Sequence, residues 1–395
     1  MENKLHHIKI KDFKTESGVA IDQLNLSYQV FGQDLGTAPI VLINHALTGN
    51  SNVAGKNGWW QAIIGKDKAI DTNLYTILCF NIPGNGFDGF VIANYKDFIA
   101  RDIANIFLQG LSILKIKELF ALIGGSLGGG IAWEMVVIHN KLTKHFIPVA
   151  TDWKSTDWLI ANCQIQEQFL VNSKNPVHDA RMHAMLCYRT PESFKERFHR
   201  SKKENSSFFN VESWLLHHGK KLQERYQLSS YKLMNQLLKS IDVTNGNVAN
   251  EINLDAIEAN IHIVGVDSDL FFTAEENKET HKKLALTKAN VTYSEITSVH
   301  GHDAFLIEYD QLEKIISPIF NKNFKEKRIK ILKFGGKSLT QGKGLENTIN
   351  IIKSKVEAKE KIAVVVSARG TTTDDLEKVI QLAAAKKNYQ KLVQW

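Results

Sequence analysis

The 395-residue chain has little of what marks a secreted, membrane or metal-binding protein. It contains no run of about 18 uncharged apolar residues, so we expect no membrane-spanning helix. Residues 1–7 lack the apolar centre of a signal peptide. The three cysteines, Cys79, Cys163 and Cys187, are scattered without the spacing of a disulfide framework or a metal site. We therefore expect a soluble, cytoplasmic protein with reduced cysteines and no bound metal.

The whole chain has a net charge of +7, but its excess of basic residues lies in the C-terminal segment. Residues 321–395 carry 17 Lys and Arg against 7 Asp and Glu, whereas the remainder carries 32 against 35. The tail also alternates charged with apolar residues, as solvated helix faces do. We therefore expect no nucleic-acid partner and no membrane partner.

Short apolar runs alternate with helical patterns, which predicts an α/β fold with a parallel sheet covered by helices on both faces. The predicted strands are residues 39–44, 75–81, 119–124, 145–150, 261–266 and 291–296. Residues 153–250 differ, because they show helical periodicity and no convincing strand. They predict a helical cap inserted between two strands of the sheet.

A polar linker at about 321–327 separates this region from a second one. Beyond the linker, the pattern predicts strand, helix, strand and helix at residues 328–334, 345–358, 362–367 and 374–385. This βαβα unit is too short to bury both faces of its sheet, so we interpret it as the opening of a larger domain. The predicted domains are thus 1–322 and a partial α/β segment at 328–395.

A glycine-rich turn around Ser126 carries the strongest chemical signal. Gly124 and Gly128 flank the serine at Gly-x-Ser-x-Gly spacing, directly after an apolar strand and before a helix. A turn this sharp leaves no room for β-carbons at the flanking positions, and it lifts the serine hydroxyl above the sheet edge. The pattern predicts a nucleophile elbow with Ser126 as the nucleophile.

A serine nucleophile needs a base, and the base needs an acid that orients it. Asp269 follows a predicted strand, and His302 follows the last strand of the sheet. The order serine, acid, histidine is that of the α/β-hydrolase fold, and open α/β sheets carry their sites at the carboxyl ends of strands. Asp267 is an alternative acid and His300 an alternative base, with Asp269 and His302 favoured.

The tetrahedral intermediate of acyl transfer requires two amide donors for its oxyanion. We expect one from the backbone N–H of Leu127, at the start of the helix after the serine. We expect the other from the small-residue loop at 44–49, with the N–H of Leu47 as the donor. Together they predict an oxyanion hole beside the nucleophile.

Several motifs together resemble those of homoserine O-acetyltransferases. They are HALTG at 45–49, GWW at 58–60, KAIDT at 68–72, GGSLGG at 124–129, ARMHAM at 180–185, YR at 188–189, ESWL at 212–215, SY at 230–231 and GHDAFL at 301–306. The resemblance extends over about 5–321. Residues 81–90 lack the cysteine- and threonine-containing stretch usual in this family, and Leu127 stands where the family has methionine.

The resemblance implies an acyltransferase of methionine biosynthesis with no bound cofactor. Acetyl-CoA would acetylate Ser126, and L-homoserine would then accept the acetyl group in a ping-pong mechanism. Arg181 would bind the homoserine carboxylate and Asp303 its ammonium group, supported by Tyr188 and Thr48. A guanidinium suits this ligand because it pairs with a carboxylate through two hydrogen bonds. The resemblance also implies a homodimer built through cap helices.

Three alternatives stay open at this point. A serine hydrolase of the same fold would use water as the acceptor, because fold alone does not fix function. A related acyltransferase would use succinyl-CoA or would acylate serine. A non-catalytic scaffold would only carry or dimerise the tail.

The tail resembles the beginning of an aspartokinase. Its KFGGKS segment at 333–338 follows a predicted strand, and VVVSA follows at 364–368. A short glycine turn lets backbone amides approach nucleotide phosphates. The residues expected at such a site are Lys333, Gly335, Gly336 and Ser338. Because the resemblance covers only 328–395, we expect no kinase activity and interpret the chain as a fragment of a fusion.

Overall fold

An eight-stranded sheet runs through the first of the two units into which the chain divides, Met1–Asn321 and Lys322–Trp395. The structure is a computed structural model that describes residues 4–244, 254–320, 330–335, 339, 342–357, 362–366, 378–381 and 385. The strands of the sheet are β1 (His6–Lys14), β2 (Ala20–Gly32), β3 (Ile40–Asn44), β6 (Thr76–Phe80), β7 (Leu119–Gly125), β8 (Thr143–Val149), β9 (Asn260–Val266) and β10 (Val291–Ile296). A separate pair consists of β4 (Ile64–Gly65) and β5 (Ile70–Asp71).

The strand order is β1-β2-β6-β3-β7-β8-β9-β10, and the six strands from β6 to β10 in this order are parallel. Strands β3, β6 and β7 are almost wholly apolar and buried, as expected for parallel strands that are covered on both faces. This arrangement confirms the predicted α/β-hydrolase fold with its mostly parallel sheet.

One edge of the sheet was not predicted from the sequence. Strands β1 and β2 pair antiparallel with each other, and β2 pairs antiparallel with β6. Strand β1 is mostly exposed, because only Ile10 and Phe13 are buried and its lysines and histidines face solvent. The prediction relied on short apolar runs, and a half-exposed antiparallel strand contains none.

Helices cover both faces of the sheet. They are α1 (Ala100–Ile113), α2 (Leu127–Ile138), α8 (Ala274–Ala285) and α9 (Tyr309–Phe320), and short 3-10 turns lie at Tyr95–Asp97, Leu254–Ala256 and Gly301–Leu306. Neighbouring residues of β3 belong to different apolar clusters, because Leu42 lies in one and Val41 and Ile43 lie in the other. Since successive side chains of a strand point to opposite faces, the core has one layer on each side of the sheet.

A helical cap is inserted between β8 and β9. It consists of α3 (Asp157–Asn172), α4 (Pro176–Tyr188), α5 (Pro191–Phe198), α6 (Asn210–Gln223) and α7 (Leu228–Lys239). Three cap helices begin with residues that favour a helix start. Thr156 and Thr190 are the N-caps of α3 and α5, and each accepts a backbone N–H from the first turn. Pro176 and Pro191 are the first residues of α4 and α5. Helix α4 packs against α3 and α6, and its last residue faces the sheet domain.

The second unit contains β11 (Lys330–Phe334), α10 (Lys343–Glu357) and β12 (Ile362–Val366) among its described residues. Strand β11 pairs in parallel with β12, as a β-α-β connection requires. The helix predicted at 374–385 lies mostly outside the described residues. None of the described helices combines the length and apolar character needed to cross a membrane.

The start of α2 lies unusually close to the end of β3. A β-carbon on Gly128 would lie 2.3 Å from the carbonyl oxygen of Asn44 and 2.6 Å from that of His45. Neither oxygen can move freely, because both belong to the backbone. Glycine at this position therefore permits the helix to start against the loop that follows β3.

We expect Gly128→Ala to lower the free energy of unfolding by about 1–3 kcal/mol, because the added methyl group overlaps two backbone carbonyls. Urea unfolding of the whole chain, followed by circular dichroism, measures the change. Ser112→Ala, at an exposed position of α1, is the control and should unfold like the wild type. An unaltered free energy in Gly128→Ala would contradict the close contact of β3 and α2.

Candidate active site

Ser126 occupies the turn between β7 and α2 in a backbone conformation that residues other than glycine rarely adopt. Its φ is 53° and its ψ is −126°. Its N–H donates to the Val149 carbonyl oxygen at 3.0 Å, which fixes the turn to β8. A β-carbon on Gly124 would lie 2.4 Å from the Gly128 carbonyl oxygen, so the glycines allow the turn to close. This is the geometry of a nucleophile elbow.

Three residues from distant parts of the chain form one hydrogen-bonded series. The His302 Nε2 lies 2.8 Å from the Ser126 Oγ, and the His302 Nδ1 lies 2.7 Å from the Asp269 Oδ2. Because a carboxylate only accepts, Nδ1 carries the proton and Nε2 is free to accept the serine proton. The structure thus joins the three predicted side chains in the order required for nucleophilic catalysis.

Both carboxylate oxygens of Asp269 accept hydrogen bonds. The Oδ1 of Asp269 accepts the N–H groups of Phe271 at 2.7 Å and Phe272 at 3.0 Å, while Oδ2 accepts from His302. These bonds fix the carboxylate plane, so the imidazole has one preferred orientation. Asp269 follows β9, and His302 lies in the 3-10 turn Gly301–Leu306 after β10, so both lie at the carboxyl ends of strands.

Aromatic rings surround the imidazole and limit its contact with water. The ring centroid of His302 lies 5.1 Å from that of Phe271, 5.6 Å from that of Tyr188 and 5.7 Å from that of Phe305. The exposed fractions of Ser126, Asp269 and His302 are 4%, 4% and 3%. Electrostatic interactions are stronger in such surroundings than in water.

The two alternative residues have other partners. The Asp267 Oδ1 accepts the Ser298 N–H at 2.9 Å, and the His300 Nδ1 lies 3.1 Å from the Ser193 Oγ. Neither side chain makes a hydrogen bond to Ser126 among the described residues. The geometry therefore favours Asp269 and His302 over both alternatives.

The predicted oxyanion donors are available. In the described part of the chain, neither the N–H of Leu47 nor that of Leu127 has a hydrogen-bond acceptor. Leu127 is the first residue of α2, where backbone N–H groups lack partners within the helix. The contact of Gly128 with the carbonyls before Leu47 brings this loop to the elbow. The arrangement suits the binding of an oxyanion beside Ser126.

Two of the predicted substrate-binding residues lie beside each other on the cap. The guanidinium of Arg181 lies 5.5 Å from the ring centroid of Tyr188, whose ring contacts His302. Arg181 forms no ion pair within the described residues, and its neighbour Asp179 instead accepts from Ser173 and pairs with His178. A guanidinium that has no ion pair in the described residues, and that lies over a ring in contact with His302, is available to an anionic ligand.

Tyr188 is a neutral hydrogen-bonding group at this point. Burial raises the pKa of Tyr188 well above its ordinary value, with a smaller contribution from Tyr231, whereas Arg181 lowers it. The phenol therefore keeps its proton over the whole physiological range.

Asp303 has a partner that the sequence analysis did not identify. Its Oδ2 accepts from the Arg189 Nε at 3.0 Å, and both side chains are half-buried. One carboxylate oxygen stays free of this ion pair and can accept from a ligand cation. The only hint of the Arg189–Asp303 ion pair in the sequence was that Arg189 directly follows Tyr188, which was itself predicted to lie at the site.

Thr48 lies in the loop that carries Leu47, and the cap holds this loop at two points. The Thr48 carbonyl oxygen accepts from the Arg225 Nη1 at 3.2 Å, and the Leu47 carbonyl oxygen accepts from the Tyr226 hydroxyl at 3.0 Å. Neither Arg225 nor Tyr226 was predicted from the sequence. They follow α6 without a motif that distinguishes them from other polar cap residues.

A small cavity of about 10 Å³, which is room for about one water molecule, adjoins these residues. Leu47, Tyr188 and Phe271 form its wall toward the imidazole of His302. The remaining wall carries side chains that include Asn162, Gln166, Tyr231 and Asn235. The narrow space beside the imidazole is therefore lined partly by polar side chains of the cap.

Only part of the predicted nucleotide site of the tail lies among the described residues. Lys333 lies in β11 and Gly335 follows it, whereas Gly336 and Ser338 lie outside the described residues. The tail nevertheless matches a known family, because residues 328–394 match the amino acid kinase family.

Residues 39–169 match the family of the alpha/beta hydrolase fold. A homoserine O-acetyltransferase from Cyclobacterium marinum is 31% identical over 333 residues, which cover 78% of this chain and 92% of that protein. One from Corynebacterium diphtheriae is 32% identical over 347 residues, covering 79% and 93%. The chain belongs to the homoserine O-acetyltransferase family. This membership confirms the resemblance and identifies the chain as an enzyme.

Solved structures agree with the family but also show how widely its fold is shared. A homoserine O-acetyltransferase from Staphylococcus aureus superimposes with a TM-score of 0.69 at 25% identity, covering 83% of this chain and 98% of that one. Esterase E22 superimposes with a TM-score of 0.72 at 19% identity, covering 80% and 100%. The likeness to the esterase shows the fold alone.

We expect a fluorophosphonate probe to label Ser126, and His302→Ala to slow labelling by about 10³-fold or more, because the serine loses its base. The rate of appearance of the labelled Ser126 peptide in mass spectrometry measures this. His300→Ala is the matched control and should label at close to the wild-type rate. Equal losses in both variants, or label on another serine, would contradict the assigned series.

Proposed function

We propose that the chain transfers an acetyl group from acetyl-CoA to the side-chain hydroxyl of L-homoserine through an acetyl-serine intermediate. The observation that carries this proposal is the series from Asp269 through His302 to Ser126, in a member of this family. Acceptor-binding groups of both charges, Arg181 and Asp303, lie next to that series.

In the first half-reaction, the Ser126 Oγ attacks the thioester carbonyl carbon while the His302 Nε2 takes the serine proton. The N–H groups of Leu47 and Leu127 donate to the oxyanion of the tetrahedral intermediate. The C–S bond then breaks, and the thiolate takes the proton from His302. The acetyl-serine remains, and Asp269 has held one imidazole orientation throughout.

In the second half-reaction, the homoserine hydroxyl attacks the acetyl-serine carbonyl carbon and gives its proton to His302. The intermediate collapses, and the Ser126 oxygen takes that proton back. Arg181 binds the acceptor carboxylate and Asp303 binds its ammonium group, with the Tyr188 phenol and Thr48 beside them. Holding both ends of the acceptor orients its hydroxyl toward the ester.

The reaction is tested with the full chain, acetyl-CoA and L-homoserine by following thiol release. We expect rapid release that depends on homoserine, together with one added acetyl group on the Ser126 peptide when homoserine is absent. Ser126→Ala should abolish both signals and leave the unfolding temperature nearly unchanged. Thiol release that is equally fast without homoserine would indicate a hydrolase, and faster release from succinyl-CoA would indicate another acyl donor.

We expect Arg181→Gln to raise the KM for homoserine about 10- to 100-fold, because a charge-assisted pair contributes about 1.5–3 kcal/mol. The rate of acetylation of Ser126 by acetyl-CoA should change little, since the first half-reaction does not use the acceptor. Arg200→Gln, whose guanidinium lies over Phe209 at the surface, is the matched control. An unchanged KM in Arg181→Gln would rule out its role in binding the carboxylate.

The proposal includes two expectations about the protein as a whole. We propose that it acts as a homodimer through its cap helices, which sedimentation of the full chain tests. We also propose that it works in the cytoplasm, where acetyl-CoA is available to it. Neither expectation enters the two half-reactions.

A further inference from the structure

His45 lies between the end of β3 and the loop that carries Leu47, and it is 1% exposed. Its Nδ1 lies 2.8 Å from the Ala46 carbonyl oxygen. Its Nε2 lies 3.0 Å from the N of Ile82 and 3.3 Å from the Asn85 Nδ2. Both ring nitrogens of a buried imidazole are therefore in use, although the side chain does not touch the reacting serine.

These contacts determine the tautomer of His45. The N–H of Ile82 can only donate, so Nε2 must be the acceptor and Nδ1 must carry the proton. The Nδ1–H then donates to the Ala46 carbonyl oxygen. Burial lowers the pKa of His45 to about 4, so the ring stays neutral at the pH at which acyl transfer would occur.

The acceptor of this bond belongs to the peptide group that forms the oxyanion hole. The Ala46 carbonyl and the Leu47 N–H are two ends of one planar amide. The same carbonyl oxygen also accepts the Gly49 N–H at 2.8 Å. Two hydrogen bonds to the oxygen polarise the amide, which makes its N–H a stronger donor, and they fix the plane in which that N–H points.

The other side of the imidazole is held by a buried polar network. Asn85 donates from Nδ2 to the Asn81 Oδ1 at 3.3 Å, and the same Oδ1 accepts the Ser51 N–H at 2.8 Å. The Ser51 hydroxyl donates to the Gln29 Oε1 at 2.7 Å. This network connects the imidazole to β2 and to the segment after β6. It contains residues of the 81–90 segment that differs from the family pattern.

We propose that His45 is a positioning residue for the oxyanion hole, which orients and polarises the Ala46–Leu47 amide so that the Leu47 N–H donates to the tetrahedral intermediate. The inference rests on the proposed acyl transfer for the role of Leu47. It adds a side chain that acts on the transition state without touching the substrate. The effect should therefore appear in kcat and in the acylation rate, and the KM for homoserine should stay nearly constant.

Two substitutions separate the two ring nitrogens. His45→Asn places an amide N–H where Nδ1 lies, so it keeps the donor to the Ala46 carbonyl. His45→Gln places its amide where Nε2 lies, so it keeps an acceptor for Ile82 but removes the donor. His145→Gln, a half-buried histidine at the start of β8, controls for the loss of a ring.

The measurement is the first-turnover release of p-nitrophenol from p-nitrophenyl acetate, with the unfolding temperature of each variant. We expect His45→Gln to slow acylation about 10- to 100-fold, somewhat less than the loss of a whole oxyanion donor. His45→Asn should recover most of the rate, and His145→Gln should resemble the wild type. A wild-type rate in His45→Gln, or equal losses in His45→Asn and His45→Gln that follow their stabilities, would overturn the proposal.

A second measurement on the wild-type chain does not depend on the variants folding. Nitrogen-15 NMR of the imidazoles should show His45 neutral and protonated on Nδ1 from about pH 6 to 8. Its Nδ1–H resonance should shift when a fluorophosphonate forms a tetrahedral adduct on Ser126, because the Leu47 N–H then donates to the phosphoryl oxygen that occupies the oxyanion site. Protonation on Nε2, or a resonance unchanged by the adduct, would overturn the proposal. A wild type that acylates Ser126 but ignores homoserine would instead refute only the proposed acceptor.

Discussion

Everything at the active site depends on how closely two backbone segments approach each other where β7 turns into α2. The turn brings Gly124 against the backbone of Gly128, and Gly128 against the carbonyls that end β3, at distances that admit no side chain. This contact places the Leu47 loop beside the first N–H of the helix, and it forces Ser126 into a φ of 53°. The strained serine persists because the surrounding strands determine its position from both sides. The positions of the proposed nucleophile and of the proposed oxyanion donors thus follow from one steric constraint.

The series from Ser126 to Asp269 is buried, and it remains favourable because each polar atom has a partner. Unpaired polar groups in such a site would be costly, so the N–H groups of Phe271 and Phe272 matter as much as the imidazole. The aromatic rings around His302 contribute differently, because they limit its contact with water and lower the local dielectric in which the proposed proton transfers take place. The segments after β9 and β10 therefore supply both the hydrogen-bonded side chains, Asp269 and His302, and the aromatic rings that surround them.

Sequence patterns were sufficient for the features that depend on local constraints. The elbow requires glycine at fixed spacing, and buried parallel strands require apolar runs, so Ser126 and the central sheet were predictable. The contacts of His45 and the pairing of Arg189 with Asp303 were not, because they join residues 37 and 114 positions apart. No local pattern specifies which polar side chains meet after folding. Strands β1 and β2 were missed because polar residues interrupt their apolar runs, on the exposed positions of β1 and also at the buried Ser27 and Gln29 of β2.

The hydrogen bonds from Arg225 and Tyr226 to the Leu47 loop change how the cap should be regarded. The cap is inserted between β8 and β9, but it supports a segment that follows β3, far away in the chain. The cap therefore does more than cover the active site, because it also holds one of the loops from which the site is built. A cap exchanged between relatives of this fold would therefore replace the residues that line the site, and it would also change the support of the loop that carries the proposed oxyanion donor.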